Sequence, residues 1–220
     1  LQIEQDFESI ELQPMTPQNI SKLVDHWHRA ALQSSRGQYS KEELDQFKKR
    51  LKAQIDSNYR LRNMASTPLL CAMLCALNVD RNAVLPQGRS ELYKIIMEVL
   101  LERRDSERKI SLGISSHLTT VCKEILLQGL AYWMLLNGKQ TVTINEAESC
   151  FQRTIRRMPN LSGLQDEVTR HLLDRSSVIR ETSVGYVDFV HKTFSEYLSS
   201  KYIVDDNSID LLLQKSHLES

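Results

Sequence analysis

The sequence predicts a mainly α chain, a helical bundle followed by a winged-helix domain with a small β-hairpin. Three observations carry that expectation. Apolar residues recur at helical spacing over most of the 220 residues, and proline or capping residues stand where the runs begin. Only four short runs, 7–12, 140–144, 178–181 and 186–190, are patterned like strands. The last two flank a Thr- and Gly-containing turn over 182–185 and read as a hairpin that follows helices.

The elements can be justified in order. Residues 7–12 alternate apolar with polar but have no strand partner nearby in sequence. Thr16 and Pro17 supply an N-cap and a first-turn proline, and Ile20, Leu23, Val24 and Trp27 follow at helical spacing up to a break over 34–37. Ser40 and Glu43 have capping-box spacing before a charged helix with the narrow stripe Leu44, Phe47, Leu51 and Ile55. Thr67 and Pro68 open a third helix, which carries Cys71 and Cys75 on an apolar face and ends before the Leu85–Gly88 punctuation. A helix over 89–101 then runs into 102–109, eight largely charged residues expected to be a solvated linker between two units.

Beyond that linker a long apolar helix over 116–136 is stopped by Gly138. A strand over 140–144 leads to a helix whose cap is expected from Asn145 and Glu148. After the 159–163 loop, residues 165–174 form a helix that buries Val168, Leu172 and Leu173, and the hairpin follows. The chain then places His191 between a strand and a helix, where Thr193 and Glu196 have capping-box spacing and Phe194, Tyr197, Leu198 and Tyr202 share a face. A helix start with free backbone N–H groups beside a polar donor is a place to hold an anion.

Charge and composition exclude several classes. Lys plus Arg equals Asp plus Glu, 28 against 28, so no net field draws the chain to nucleic acid or an anionic membrane. The apolar runs are too short to span a bilayer and have no signal-peptide layout, so a cytoplasmic chain is expected. Four cysteines at positions 71, 75, 122 and 150, with six scattered histidines, lack zinc-like spacing. Neither a metal site nor a disulfide is expected. No Gly-x-x-x-x-Gly-Lys-Ser/Thr loop occurs, and no strand ends in Mg²⁺-binding acids, so the segment is not expected to be an ATPase by itself.

Three segments, in order, resemble NACHT-type NTPases of the STAND class. Met64-Ala-Ser-Thr-Pro-Leu-Leu70 is similar to the family's Asn-Pro-Leu-Leu segment, with Thr67 in place of Asn. Leu85-Pro-Gln-Gly-Arg-Ser-Glu-Leu-Tyr93 is similar to its Leu-Pro-x-x-Arg-x-x-Leu-Tyr segment. Phe189-Val-His-Lys-Thr-Phe-Ser-Glu-Tyr197 is similar to its Phe-x-His-x-x-Phe-Gln-Glu-Tyr segment, with Ser195 replacing Gln and Ser199–Ser200 replacing a small pair.

The resemblance implies a division into a remnant of the nucleotide-binding sheet (1–14), a helical lid (15–107), a winged helix (108–206) and a tail or the start of a further domain (207–220). It implies cofactor-binding roles for Pro68 and Leu69 at adenine and for His191 at the β-phosphate of ADP, with ADP or ATP bound only together with an upstream core. The expected partners are that core, a downstream sensor domain and further copies after activation. The implied role is nucleotide-controlled opening and oligomerisation in defence or stress signalling. Two alternatives remain. A winged helix can bind DNA, and Arg153, Arg156, Arg157, Arg170 and Arg175 are the candidate face, though Glu146, Glu148, Asp166 and Glu167 interrupt it. A nucleotide-independent helical scaffold predicts the same packing.

Overall fold

The computed structural model describes residues 13–34, 39–80, 85–107 and 118–205, the side chains of 103–107 and 165 excepted. The expected strand at 7–12 and the tail at 207–220 lie outside the described residues. Among the described residues nine α-helices accompany three short antiparallel strands, so the mainly α reading holds. The chain divides into two compact units after Leu92.

In the first unit, α1 (Pro17–Ser34), α2 (Lys41–Ser57), α3 (Tyr59–Ala65) and α4 (Pro68–Asp80) pack together, and α5 (Arg89–Glu107) begins. Thr16 caps α1 by accepting from the Asn19 N–H at 3.3 Å, with Pro17 in the first position, where its missing donor costs nothing. The Ser40 and Glu43 box of α2 is complete in both directions. The helix α3 was not expected; Asn58 ends α2 and opens α3, its side chain accepting from Arg60 and Leu61. The helix α4 buries most of its circumference, including Cys71 and Cys75, as the apolar reading required. The Asn78 amide donates to the Phe47 carbonyl at 2.9 Å and ties α4 to α2.

Two boundaries differ from the sequence reading here. The division after Leu92 falls inside α5. The expected linker over 102–109 is helical through Glu107, because Glu and Arg are good helix formers and no Gly or Pro interrupts them.

The second unit contains the rest of α5, α6 (Thr120–Leu136), β1 (Thr141–Thr143), α7 (Ile144–Ile155), a 3-10 turn at Pro159–Leu161, α8 (Gln165–Arg175), β2 (Ile179–Ser183), β3 (Tyr186–Phe189) and α9 (Lys192–Asp205). Gly138, at φ +60°, ends α6 in a Schellman arrangement: the Lys139 N–H reaches the Met134 carbonyl and the Gly138 N–H that of Leu135. The cap of α7 is Thr143, paired with Glu146, not Asn145 with Glu148. Thr143 has the extended backbone an N-cap needs because it also ends β1, and this puts Asn145 inside the first turn.

The sheet order is β1-β3-β2, with Val142 opposite Val187 and Ile179 opposite Phe189. The turn between β2 and β3 is tighter than expected, two residues with Gly185 at φ +82°, and its carbonyl accepts from the Ile144 N–H at the start of α7. The core gathers Phe151 from α7, Leu126, Leu127 and Leu130 from α6, and Val168 and Leu172 from α8. Leu173 is only half-buried; Thr169 and His171 lie on the buried side instead.

Candidate functional site

His191 stands between the end of β3 and the first residue of α9. Upstream, the Val190 N–H donates to the Val178 carbonyl at 2.9 Å and extends the hairpin pairing by one residue. Downstream, the His191 carbonyl accepts from the Phe194 N–H at 3.0 Å and starts the helix. The imidazole folds back over that start. Its Nδ1 accepts from the Thr193 N–H at 3.3 Å and lies 2.9 Å from the Thr193 hydroxyl.

His191 therefore occupies the N-cap position, and the capping box expected from Thr193 and Glu196 does not form. Thr193 sits one residue inside α9 with its hydroxyl against the imidazole, and the Glu196 carboxylate pairs with Lys192 at 3.5 Å. The sequence rule failed because histidine is not a usual cap, while Thr193 with Glu196 satisfies the spacing by chance.

The ring is half-buried and braced by aromatic edges. Phe194 meets it edge-on at 6.3 Å between centroids, and Tyr93 of α5 meets Phe194 in the same manner at 6.3 Å. Tyr197 lies against Tyr93 at 5.5 Å, and burial, followed by the negative charges of Glu124, Glu98 and Asp205, pushes its phenol up to about 12. It stays a neutral packing group at physiological pH. The Nε2 atom of His191 makes no hydrogen bond among the described residues.

Pro68 and Leu69 lie in the other unit. Pro68 is the exposed first residue of α4, and Leu69 beside it is half-buried. The turn before them is fixed by the Thr67 N–H donating to the Met64 carbonyl and by the Met15 N–H donating to the Ser66 carbonyl at 2.8 Å. The Cys71 N–H then takes the Thr67 carbonyl as the first helical bond. An exposed proline ring at this point offers a flat apolar face with no competing donor. By contrast Leu85, Pro86, Leu92 and Tyr93 are buried packing residues, so the Leu-Pro segment serves the fold.

Several polar or aromatic features had no sequence signal strong enough to single out. His28 is buried on α1 with Nδ1 on the Val24 carbonyl at 2.8 Å, and burial pushes its pKa down. Lys123 is buried and donates to the Leu101 carbonyl at 3.1 Å. A cavity of about 650 Å³ opens between α6, α7 and α9; Trp133, the stacked pair Tyr132 and Tyr202, Arg153 and Arg157 line it, and His191 does not. Arg153 caps the Ser149 carbonyl and lies over Trp133, which removes it from a free basic face. Among the described residues no cluster of three or more His, Cys, Asp or Glu side chains is arranged for a metal, and no helix is long and apolar enough to cross a membrane.

No family model matches the chain, and no curated protein or solved structure proved similar to it. The site is therefore read from its own chemistry and from the three ordered segments.

Proposed function

We propose that the chain is the regulatory, nucleotide-sensing part of a NACHT-type signalling NTPase, a helical lid in the first unit and a winged helix in the second. The observation that carries this reading is His191, with Nδ1 occupied at the start of α9 and Nε2 without a partner among the described residues. A ring held in that way has one polar atom without a partner among the described residues, and it stands at the positive dipole end of a 14-residue helix. An anion such as the β-phosphate of ADP fits that chemistry.

The element order supports the winged-helix half. Helix, short strand, two helices and a hairpin follow one another as α6, β1, α7, α8, β2 and β3, and the first strand pairs with the hairpin's second. That is the order of a winged helix. Exposed Pro68, with Leu69, suits a contact to adenine in the first unit.

In this account the phosphate-binding loop and Mg²⁺ ligands belong to an upstream core, and each unit adds its own contact to the nucleotide held there. ADP favours the closed state through contacts that the open state lacks, and exchange releases them. Opening permits assembly with further copies in cytoplasmic defence or stress signalling. The test joins this chain to such a core and compares wild type with His191→Ala. The variant is expected to purify with less ADP and to assemble more readily by light scattering. Unchanged nucleotide content and assembly would remove His191 from the proposed role.

A further inference from the structure

We propose that Thr193 is a positioning residue for His191, whose backbone N–H holds the imidazole as the Nε2–H tautomer and makes Nε2 a committed donor. The geometry leaves little choice. A neutral imidazole carries one proton, on either Nδ1 or Nε2. The Thr193 hydroxyl, 2.9 Å from Nδ1, is a rotor that can donate to a bare Nδ1 or accept from a protonated one, so it decides nothing. The Thr193 N–H cannot rotate. It points at Nδ1 from 3.3 Å, and a proton on Nδ1 would oppose it head-on. The proton therefore sits on Nε2, the atom that has no partner among the described residues.

The consequence for ligand class rests on the nucleotide reading above. A protonated Nε2 has no lone pair, so this ring cannot bind a metal ion through that atom; it recognises an acceptor, and phosphate oxygens are the strongest candidates. A ring protonated on both nitrogens would lose the cap at Nδ1. A further contact restrains the ring's direction: the Phe194 edge at 6.3 Å. Donor direction and tautomer are thus both set within four consecutive residues.

The test is a ¹H–¹⁵N correlation spectrum of the imidazole in the 220-residue chain, labelled at histidine and recorded at a pH where the ring is neutral. The expected pattern is that of the Nε2–H form. In Thr193→Val, which keeps the N–H and loses the hydroxyl, the pattern should persist. In Thr193→Pro, which removes the N–H at a first-turn position where proline is tolerated, the ring should move to a mixture of tautomers while far-ultraviolet circular dichroism stays unchanged. A predominant Nδ1–H form in the wild type, or an unaltered Nε2–H form in a folded Thr193→Pro chain, would overturn the assignment. The nucleotide reading fails separately: an Nε2–H tautomer whose resonance does not respond to ADP in the core-joined chain leaves Thr193 in its role and removes the phosphate.

Discussion

Replacing His191 separates what it does for the helix from what it does for a ligand. His191→Ala removes the acceptor of the Thr193 N–H, and loss of a helix cap costs about 1 kcal/mol. It also removes the ring edge against Phe194, which adds roughly 0.5 kcal/mol or more. The sum is about 1.5–2 kcal/mol. His191→Asn restores an efficient cap and loses only the ring, so it should be the more stable variant by about 1 kcal/mol.

The chain has two tryptophans, Trp27 in the first unit and Trp133 in the second. A Trp27→Phe background leaves Trp133 as the sole indole reporter of the unit that contains His191. With a urea slope of roughly 2 kcal/mol/M, the two variants should differ in midpoint by about 0.5 M at unchanged slope. Identical midpoints would refute the capping role and return the start of α9 to Thr193 and Glu196.

Other residues make further predictions. Thr143→Ala should lower the stability of the second unit by about 1 kcal/mol in the same unfolding assay, since it deletes the hydroxyl half of the α7 box. The Glu146 carboxyl is held below its usual range by its hydrogen bond from Lys139 and then by the Thr143 N–H. Its stabilisation is therefore full above pH ~4.3 and is lost as pH falls through the lower folded value; melts of Glu146→Gln across that window should show a flatter acid limb. Burial keeps His28 neutral, so the unfolded first unit takes up that proton first as pH falls below ~6.5. The first unit should lose stability from there downward, read by Trp27 fluorescence, and His28→Leu should remove the slope. A Cβ at Gly129 would meet the Thr154 Oγ1 at 2.9 Å, so Gly129→Ala should destabilise by about 1 kcal/mol or more despite the better helix former. Adding Thr154→Ala should recover most of that loss.

How much of this was legible in the sequence depended on how local the signal was. The Thr16–Pro17 start, the Ser40–Glu43 box, the Gly138 stop and the hairpin each depend on a few adjacent residues, and each forms where expected. The cap of α7 differs from the expected one because two registers, Thr143 with Glu146 and Asn145 with Glu148, share the same spacing and strand pairing selects the first; at α9 the only pair with that spacing is Thr193 and Glu196, while the observed cap is a histidine that propensity does not rank as one. Helix α3 was missed because seven residues opened by one asparagine give no period to read. The charged end of α5 differs from the expected linker because a run of charges does not by itself mean loop: Glu and Arg are good helix formers and no Gly or Pro interrupts them. For the candidate site, the position of His191 was legible; the use of its two ring nitrogens was not, since that follows from the direction of one backbone N–H. The burial of His28 and Lys123 depends on packing that no spacing encodes.

The measurement that bears most directly on nucleotide sensing is the rate of ADP release from this chain joined to a phosphate-binding core, for wild type, His191→Asn and His191→Ala. Asparagine keeps the cap of α9 but is too short to replace the Nε2 donor. Loss of one hydrogen bond to a charged oxygen costs about 1.5–3 kcal/mol, so both variants should release ADP roughly 10- to 100-fold faster than wild type. Release at the wild-type rate from both would contradict the account and leave His191 a cap alone.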